Sequence, residues 1–334
     1  MKYLITGATG YIGTQLTKRL VAEGHTVHAL YRSEGKAEGL RSVPGVVLKK
    51  GDLLDKPSLQ AAVAGCDAVF HVAAFAKPWH KDPQTFYSYN LDGAVNVFEA
   101  AQQAGVKRVV FTSTAGTISP NEDGQSSDEA TPRTLDYFTD YDRSKALAEE
   151  AAVRISGKDM EIVTVNPSRV YGPGLLSDSN GVTRMVKMYL HGKFRLLPGD
   201  GDSIGNYVFI DDVVNGHLLA MKLGKAGERY IIGGSNSSFN DFFETLSALS
   251  GKNPRMFKVP LPMMNVAAHL MEFRANLTGT PPVLTPPWVK RFHFNWELSV
   301  EKAKRELGYS PMPLERGLAK TLKWLGEEAG NPQK

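Results

Sequence analysis

The chain of 334 residues contains a single cysteine, Cys66. One cysteine excludes an intrachain disulfide, and it leaves a thiolate metal site without further sulfur ligands. We therefore predict no metal site. Cys66 itself is expected to be a small buried residue in the turn before a strand, with no redox role.

Dense runs of one charge and long apolar runs are also lacking. The 39 basic and 35 acidic side chains leave a net charge of +4, and no Lys/Arg block indicates a nucleic-acid surface. No apolar run reaches the roughly 18 residues that a membrane span needs. The opening MKYLITGATG leads into a strand without a basic region and a cleavage site. We expect a cytoplasmic protein with no nucleic-acid partner and no membrane span.

Short strand patterns alternate with helical patterns over the first half of the chain. Strand-like runs such as KYLIT, HTVHALYR and KRVVFTS are separated by helical patterns such as YIGTQLTKRLVAEG. This alternation is typical of a parallel sheet covered by helices on both faces, the Rossmann-type doubly wound α/β class. With 42% hydrophobic residues, the chain has enough apolar content for one large domain and a smaller companion.

The alternation breaks after about Arg169 into segments punctuated by glycine and proline. It returns at NYVFIDDVVNGHLLAMKLG, where we expect one strand and one helix to rejoin the core. The predicted doubly wound domain comprises residues 1–168 and about 207–232. The predicted smaller domain, mostly C-terminal, comprises residues 169–206 and 233–334.

The stretch T-G-A-T-G-Y-I-G stands at the first strand-to-helix junction. Its three glycines permit backbone conformations closed to other residues and let backbone N–H groups approach a pyrophosphate at the positive end of the helix. The spacing differs by one residue from the G-x-G-x-x-G fingerprint, but the position after a strand and before a helix is the same. A purely structural glycine turn is the alternative. The predicted dinucleotide contacts in this turn are Gly7, Thr9, Gly10, Tyr11, Ile12 and Gly13.

The end of the second strand favours NADP(H) over NAD. An acidic residue about 20 residues past the glycines binds the adenosine ribose in NAD enzymes, whereas a basic residue accommodates a 2'-phosphate. Here the strand ends A-L-Y-R-S, so Arg32 takes that place, with Ser33 as a second donor. Glu34 is assigned to the next helix. An ordinary solvated charge is the alternative for Arg32.

Two further strand ends are predicted to contact the nucleotide. Asp52 and Leu53 end the third strand, where an adenine ring can be held. Ala73 and Ala74 end the fourth strand and are small enough to let the nucleotide lie close.

Tyr141 and Lys145, in Y-D-R-S-K, are four residues apart in a helical pattern, so their side chains project side by side. A tyrosine with a pKa near 10 is a poor proton shuttle at neutral pH, and a close ammonium with a cationic nicotinamide stabilises its phenolate. A lone Y-x-x-x-K also arises by chance on helix surfaces. The end of the fifth strand adds three hydroxyl groups at the edge where ligands bind, those of Thr112, Ser113 and Thr114.

In their order and spacing, these motifs resemble the extended short-chain dehydrogenase/reductases, the NAD-dependent epimerase/dehydratase superfamily, over about the first 230 residues. The matching stretches are TGATGYIG, G-D-L, H-V-A-A, F-T-S-T-A-G, Y-D-R-S-K and Y-V-F-I-D-D-V-V, the last similar to the family's late return strand. The resemblance implies that Tyr141 is the acid/base and that Lys145 lowers its pKa and binds the nicotinamide ribose. It also implies that Thr114 polarises the substrate oxygen, with Ser113 as the reserve.

The resemblance assigns NADP binding to the doubly wound domain and substrate binding to the smaller one. Its further cofactor contacts are Thr112, Tyr141, Lys145, Pro167 and Val170. A homodimer is implied because the long fourth helix and the Tyr141 helix pair with their copies in many relatives.

Two other side chains have weaker assignments. Asn90 matches an asparagine of the family's fourth helix that binds a relay water, with helix capping or solvation as alternatives. His71 is interpreted as a core histidine with satisfied hydrogen bonds.

The substrate is indicated by a missing motif. Sugar-nucleotide members carry G-x-G-x-x-x-R-D-F, whose arginine binds the substrate diphosphate, but this chain has Gly205 and Asn206 in place of Arg and Asp. Segments rich in Met, Trp and Phe suit an apolar or aromatic substrate. The overall pattern looks most like the dihydroflavonol-reductase and 3β-hydroxysteroid-dehydrogenase branch.

The leading hypothesis is therefore an oxidoreductase that reversibly transfers hydride from NADPH to the carbonyl of a hydrophobic or aromatic ketone or aldehyde. An NAD-dependent epimerase or dehydratase of a sugar or nucleotide-sugar is the second. A nucleotide-sensing protein without turnover is the third, although it has no reason to keep Tyr141, Lys145 and the hydroxyl cluster together.

Overall fold

A computed structural model describes residues 1–120 and 124–330. Within these residues the strands are β1 (Lys2–Thr6), β2 (Thr26–Tyr31), β3 (Val46–Lys50), β4 (Ala68–His71), β5 (Arg108–Thr112), β6 (Glu161–Pro167), β7 (Arg169–Tyr171), β8 (Leu196–Pro198), β9 (Ile204–Phe209), β10 (Arg229–Ile232), β11 (Ser235–Ser238) and β12 (Phe257–Val259).

The helices lie mostly between consecutive strands. They are α1 (Tyr11–Ala22), α2 (Glu34–Arg41), α3 (Lys56–Val63), α4 (Gln84–Tyr87), α5 (Gly93–Gln103), α6 (Asp140–Ile155), α7 (Gly181–Leu190), α8 (Ile210–Leu223), α9 (Phe239–Ser250), α10 (Leu261–Thr278), α11 (Pro286–Arg291), α12 (Glu301–Leu307) and α13 (Leu314–Gly330). Short 3-10 turns (Ala115–Thr117 and Asp178–Asn180) and a π-helical turn (Ser88–Asp92) complete the set.

Seven strands form a parallel sheet in the order β3-β2-β1-β4-β5-β6-β10. The order reverses between β1 and β4, and doubly wound sheets bind ligands in the crevice outside the carboxyl ends of the strands at that point. The predicted Rossmann-type class is confirmed.

Alternating side chains of the central strands supply two separate cores because successive residues of a strand point to opposite faces. Leu4 and Val69 belong to one buried cluster, which α3, α5 and α6 cover. Their neighbours Ile5 and Phe70 belong to the other, which contains residues of α1 and α8. Cys66 is buried in the turn before β4, as predicted.

The predicted return strand is wrong in one respect. NYVF lies in β9, which pairs with β7 and β11 in a separate three-stranded sheet. The strand that joins the main sheet beyond β6 is β10. Helix α8, which lies between β9 and β10 along the chain, packs against the main sheet. The sequence pattern does not separate the two because β9 and β10 are both short, apolar and buried. The division into two domains stays a prediction.

The C-terminal segment is connected to β9 of the three-stranded sheet by two hydrogen bonds. Trp296 N donates to Ile204 O at 2.9 Å, and Asn295 Oδ1 accepts from Ile204 N at 3.0 Å. This connection holds α11 beside the amino-terminal end of α6, which carries Tyr141. Among the described residues, no helix has the length and apolar character to cross a membrane.

Candidate active site

The glycine turn between β1 and α1 is closely packed against the end of β4. Gly7 has φ +71°, and a Cβ there would lie 2.7 Å from Ala73 N. A Cβ at Gly13 would collide with the carbonyl oxygen of Gly7. The backbone therefore requires glycine at both positions, and the tight turn leaves the start of α1 directly at the carboxyl edge.

The first turn of α1 has the properties of an anion-binding helix end. Gly10 caps the helix without a side-chain hydrogen bond, and the first turn contains no acidic residue. Its free N–H groups and the positive end of the helix dipole suit a pyrophosphate. Tyr11 is a partial exception, because its hydroxyl donates to Gly172 O at 3.0 Å and its ring is buried. Only the backbone of Tyr11 is free to contact a nucleotide.

Arg32 lies directly after β2, as predicted, and its guanidinium extends towards the end of β3. Its Nη1 is 2.9 Å from the hydroxyl of Tyr89 and 3.3 Å from Oδ2 of Asp52. The Arg32 side chain remains 65% exposed, so it is held in place and still accessible to a ligand. Glu34 begins α2, as expected.

Most of the other predicted cofactor positions lie at the ends of their strands. Leu53 is buried beyond β3 and Ala73 lies beyond β4, while Pro167 ends β6 and Val170 lies within β7. Thr112 differs, because its hydroxyl lies 2.8 Å from Nε2 of His217 in α8. A cofactor contact at Thr112 would therefore have to come from its backbone.

The phenol of Tyr141 lies close enough to the Thr114 hydroxyl for that group to lower its pKa. The Thr114 hydroxyl itself accepts from Gly116 N at 3.1 Å. Burial raises the pKa of Tyr141, the neighbouring carboxylate of Asp142 raises it further, and the contacts with Thr114 and Arg291 lower it. The sequence predicted that Lys145 is the cation that lowers this pKa. Arg291 also acts on the phenol as a cation, and the role given to Lys145 stays a prediction.

Lys145 is fully buried one turn further along α6. Its Nζ lies 4.1 Å from the ring centroid of Phe111 and has no hydrogen-bond partner among the described residues. Burial lowers the pKa of Lys145 to about 7, and the charge of Glu149 acts in the opposite direction. A buried amine without a partner is costly, so this group is poised for a polar ligand that supplies the missing acceptor.

The hydroxyl of Ser113 points away from Tyr141. It donates to Oε1 of Glu149, which also accepts from Thr117 at 2.8 Å and from Asn166 at 2.7 Å. Glu149 and Thr117 line a cavity of about 870 Å³ that Thr114 and Tyr141 do not reach. Of the three hydroxyl groups predicted at this strand end, the structure brings only that of Thr114 to the phenol.

Asp142 follows Tyr141 and is buried, and sequence reasoning did not single it out. Its Oδ2 accepts from Thr139 at 2.7 Å and from Nη1 of Arg291 at 3.2 Å. Trp296 and Trp288 stack on the Arg291 guanidinium, with ring centroids 4.5 and 5.0 Å from Cζ. The C-terminal segment thus adds a cation and two aromatic rings beside the phenol.

Asn90 and His71 are both buried close to this site. Asn90 accepts from Phe75 N at 2.7 Å and donates to Ser144 Oγ at 3.0 Å, so it ties the loop after β4 to α6. Neither capping nor solvation, the predicted alternatives, describes it. His71 contacts Thr6 through Nδ1 at 2.6 Å, but its Nε2 has no partner among the described residues. Burial and then Lys145 hold the pKa of His71 well below 6.5, so the ring is neutral.

This geometry agrees with comparisons to known proteins. Residues 3–233 match the model of the NAD dependent epimerase/dehydratase family. The chain belongs to that family. It is an extended short-chain dehydrogenase/reductase, an enzyme class that uses a nicotinamide cofactor, and the predicted family is confirmed.

Named relatives of this family member include carbonyl reductases. The chain is 31% identical over 327 residues to the putative dihydroflavonol 4-reductase of Synechocystis sp., covering 96% of this chain and 94% of that protein. It is 32% identical over 342 residues to cinnamoyl-CoA reductase 1 of Petunia hybrida, covering 98% and 93%. The solved structure of the dTDP-glucose 4,6-dehydratase DesIV of Streptomyces venezuelae, with NAD bound, is 26% identical with a TM-score of 0.76, and 100% of each chain is covered.

The described residues fit the family's nicotinamide dinucleotide. The uncapped end of α1 and the close-packed glycines suit the pyrophosphate, and the buried amine of Lys145 lacks an acceptor that a ribose hydroxyl can supply. In contrast, no group of three His, Cys, Asp or Glu side chains in residues 1–120 and 124–330 is arranged to hold a metal ion.

Proposed function

We propose that this protein catalyses the reversible, NADP(H)-dependent reduction of the carbonyl group of a hydrophobic or aromatic ketone or aldehyde. The observation that carries the proposal is the proximity of the Thr114 hydroxyl to the phenol of Tyr141, with the buried amine of Lys145 one turn away on the same helix. A proton donor and a second hydroxyl that meet at one point can both address a single carbonyl oxygen.

Each of the three groups has a distinct role in this reaction. NADPH supplies the hydride when it is bound. Tyr141 donates its phenolic proton to the carbonyl oxygen, and the hydroxyl of Thr114 donates a hydrogen bond to the same oxygen. Lys145 binds the nicotinamide ribose. In the reverse direction, the phenolate of Tyr141 accepts the proton of the alcohol, so groups that lower the pKa of Tyr141 favour oxidation.

Arg32 supports NADP(H) as the cofactor. The accessible guanidinium lies after β2, where a 2'-phosphate is accommodated in dinucleotide folds. Its contacts with Tyr89 and Asp52 hold the guanidinium towards the carboxyl edge, which reduces the entropy lost on binding.

The second candidate, a sugar-nucleotide epimerase or dehydratase, has less support. Asn206 stands in place of the motif's aspartate, and it is buried with its amide bonded to Asn236 Oδ1 at 2.7 Å. Two tryptophan rings stack on Arg291, which is bonded to Asp142. These rings favour an apolar or aromatic substrate. The relatives named as a dihydroflavonol reductase and a cinnamoyl-CoA reductase also favour carbonyl reduction.

The test is net oxidation of NADPH by the purified protein in the presence of aromatic or steroidal carbonyl compounds. We expect turnover, and we expect Tyr141→Phe to lower kcat by about 10²–10⁴-fold while NADPH affinity is retained. Loss of both turnover and NADPH binding would undermine the role given to Tyr141. Release of tightly bound NAD on denaturation, without net turnover, would support the epimerase instead.

The homodimer and the cytoplasmic location stay predictions. The proposed dimer pairs α5 and α6 with their copies, and Val153 on α6 is 56% exposed, as an apolar interface residue of a separated subunit would be. Light scattering on the purified protein should give twice the mass of one chain.

A further inference from the structure

Arg169 of β7 places its guanidinium at Gly205 of β9, the position where the sugar-nucleotide motif has an arginine. Gly205 stands where sugar-nucleotide enzymes place their diphosphate-binding arginine, and a Cβ built on Gly205 would collide with Nη1 and Cζ of Arg169. The two strands are parallel neighbours, with Arg169 opposite Tyr207. A guanidinium therefore lies against the very position that lacks one in the sequence motif.

Aromatic groups hold this guanidinium, and no carboxylate neutralises it. Nη1 donates to the hydroxyl of Tyr207 at 3.1 Å, and Cζ lies 5.4 Å from the Tyr207 ring centroid and 5.6 Å from that of Phe239. Within residues 1–120 and 124–330, no Asp or Glu oxygen comes within 4.0 Å of Arg169. Arg169 is only partly buried, and among the described residues one of its five N–H donors has a hydrogen-bond partner, the Tyr207 hydroxyl.

A chain of contacts links Arg169 to the segment beside Tyr141. The Phe239 ring that it stacks on contacts Phe292 edge to face, with centroids 5.8 Å apart. Phe292 directly follows Arg291, which is bonded to Asp142 beside the phenol. At the other end, Arg169 follows Pro167 by two residues at the carboxyl end of β6.

We propose that Arg169 binds an anionic group, a carboxylate or a phosphate, at the end of the substrate remote from its carbonyl. The inference rests on the proposed carbonyl reduction and adds the charge of the substrate to it. A planar guanidinium with free N–H groups binds either anion through two parallel hydrogen bonds, and aromatic stacking fixes its orientation. The substrate class becomes an amphipathic carbonyl compound, apolar in the middle and anionic at one end.

The test uses phenyl ketones whose alkyl chain of one to four CH₂ groups ends in a carboxylate, a phosphate monoester or a methyl ester. For the wild type, we expect kcat/KM to be higher for one of the anionic series than for the neutral ester of equal length. In Arg169→Met, the ratio of anion to ester should fall by about 10–100-fold, and Arg169→Lys should keep part of it. An unchanged ratio would overturn the proposal, as would equal losses for anion and ester. Comparison of the carboxylate and phosphate series identifies the anion.

A second variant should displace the guanidinium of Arg169 without removing it. Gly205→Ala places a methyl group where the guanidinium lies and should displace it, so the anion preference should fall as in Arg169→Met. Arg255→Met is the matched control, because Arg255 is exposed and also stacks on an aromatic ring, that of Phe257, at 5.2 Å. That control should keep the wild-type ratio, and a fall of similar size would contradict a specific role for Arg169.

Binding without turnover separates this inference from the proposed function. Calorimetry measures the affinity of the same anionic ketones for the wild type and Arg169→Met in the presence of NADP⁺. If no ketone is reduced but the anionic compounds bind the wild type at least about tenfold more tightly than the variant, the proposed reaction fails and the anion site stands. If ketones are reduced but the anionic compounds bind both proteins equally, the anion site fails and the reaction stands.

Discussion

Arg291 donates to the buried carboxylate of Asp142, the residue that follows Tyr141, from 149 positions further along the chain. The distance from Nη1 to Oδ2 is 3.2 Å, and the Asp142 side chain is 1% exposed. Arg133 is a second cation close enough to act on this pair. The other carboxylate oxygen of Asp142, Oδ1, has no hydrogen-bond partner among the described residues. The C-terminal segment thereby compensates a negative charge that would otherwise oppose ionisation of the phenol.

Arg291→Met should change the pH dependence of the enzyme. Without the cation, the carboxylate of Asp142 raises the pKa of Tyr141 further, so fewer molecules carry the phenolate that alcohol oxidation needs. The rise of oxidation with pH should move to higher pH, and a phenol pKa higher by about one lowers the oxidation rate at a fixed pH about tenfold. Reduction at neutral pH uses the protonated phenol and should change much less. The measurement is the rate in both directions from about pH 6 to about pH 10, a range that extends up to the ordinary pKa of tyrosine.

The double variant Asp142→Asn with Arg291→Met is the control for that change. It removes both charges, so the oxidation profile should return towards the wild type even if stability is lower. Breaking a buried ion pair from one side costs about 3–5 kcal/mol of stability, and that loss alone leaves the midpoint of a pH profile unchanged. A profile of Arg291→Met that coincides with the wild type would reduce the pair to a structural role.

Binding of NADPH at pH 8 should be accompanied by proton uptake at Lys145. In the absence of a partner, burial holds its pKa at about 7, so the amine is mostly neutral at pH 8. Ribose hydroxyls accept hydrogen bonds from the ammonium form, which raises the pKa and draws in up to about one proton per site. Calorimetric titrations in buffers of different ionisation enthalpy measure the number. Lys145→Met should reduce it to near zero, and a wild-type value near zero would contradict the prediction.

Substitution of Thr114 should mainly lower kcat, whereas substitution of Ser113 should mainly lower stability. Thr114→Val removes the hydroxyl that lies beside Tyr141 and that accepts from Gly116 N, and we expect kcat to fall by about 10²-fold with about 1 kcal/mol of lost stability. Ser113→Ala removes a hydrogen bond to buried Glu149, and we expect about 1–3 kcal/mol of lost stability with kcat largely retained. Steady-state kinetics and thermal unfolding of the two variants distinguish these outcomes. The reverse pattern would make Ser113 the catalytic hydroxyl.

Arg32→Ala should weaken NADPH binding by about tenfold or more and NADH binding much less, because only NADPH carries the 2'-phosphate. The measurement is the dissociation constant of each cofactor from the quenching of protein fluorescence. Arg41→Ala removes another exposed arginine, from α2, and serves as the control with no expected preference. Equal weakening of both cofactors by Arg32→Ala would remove the basis for choosing NADP.

Local patterns were sufficient to place the elements that are predicted to bind the cofactor. The glycine turn, the end of β2 and the Tyr141 helix each lie within one short segment, where the chain itself fixes the spacing of the side chains. The same patterns could not distinguish β9 from β10 as the strand that joins the main sheet, because both are short and apolar. Pairing is decided by neighbours that are distant in sequence.

The sequence by itself determined the doubly wound core, the family and the pairing of Tyr141 with Lys145, since these depend on periodicity and on residues a few positions apart. The resemblance already selected Thr114, with Ser113 as the reserve. Only the tertiary structure showed that the Ser113 hydroxyl is bonded to Glu149, that Arg291 compensates Asp142, and that Arg169 fills the space left by Gly205. The contacts of Arg291 with Asp142 and of Arg169 with Gly205 join segments from different elements. They follow from the packing of side chains in three dimensions, which no spacing along one segment encodes.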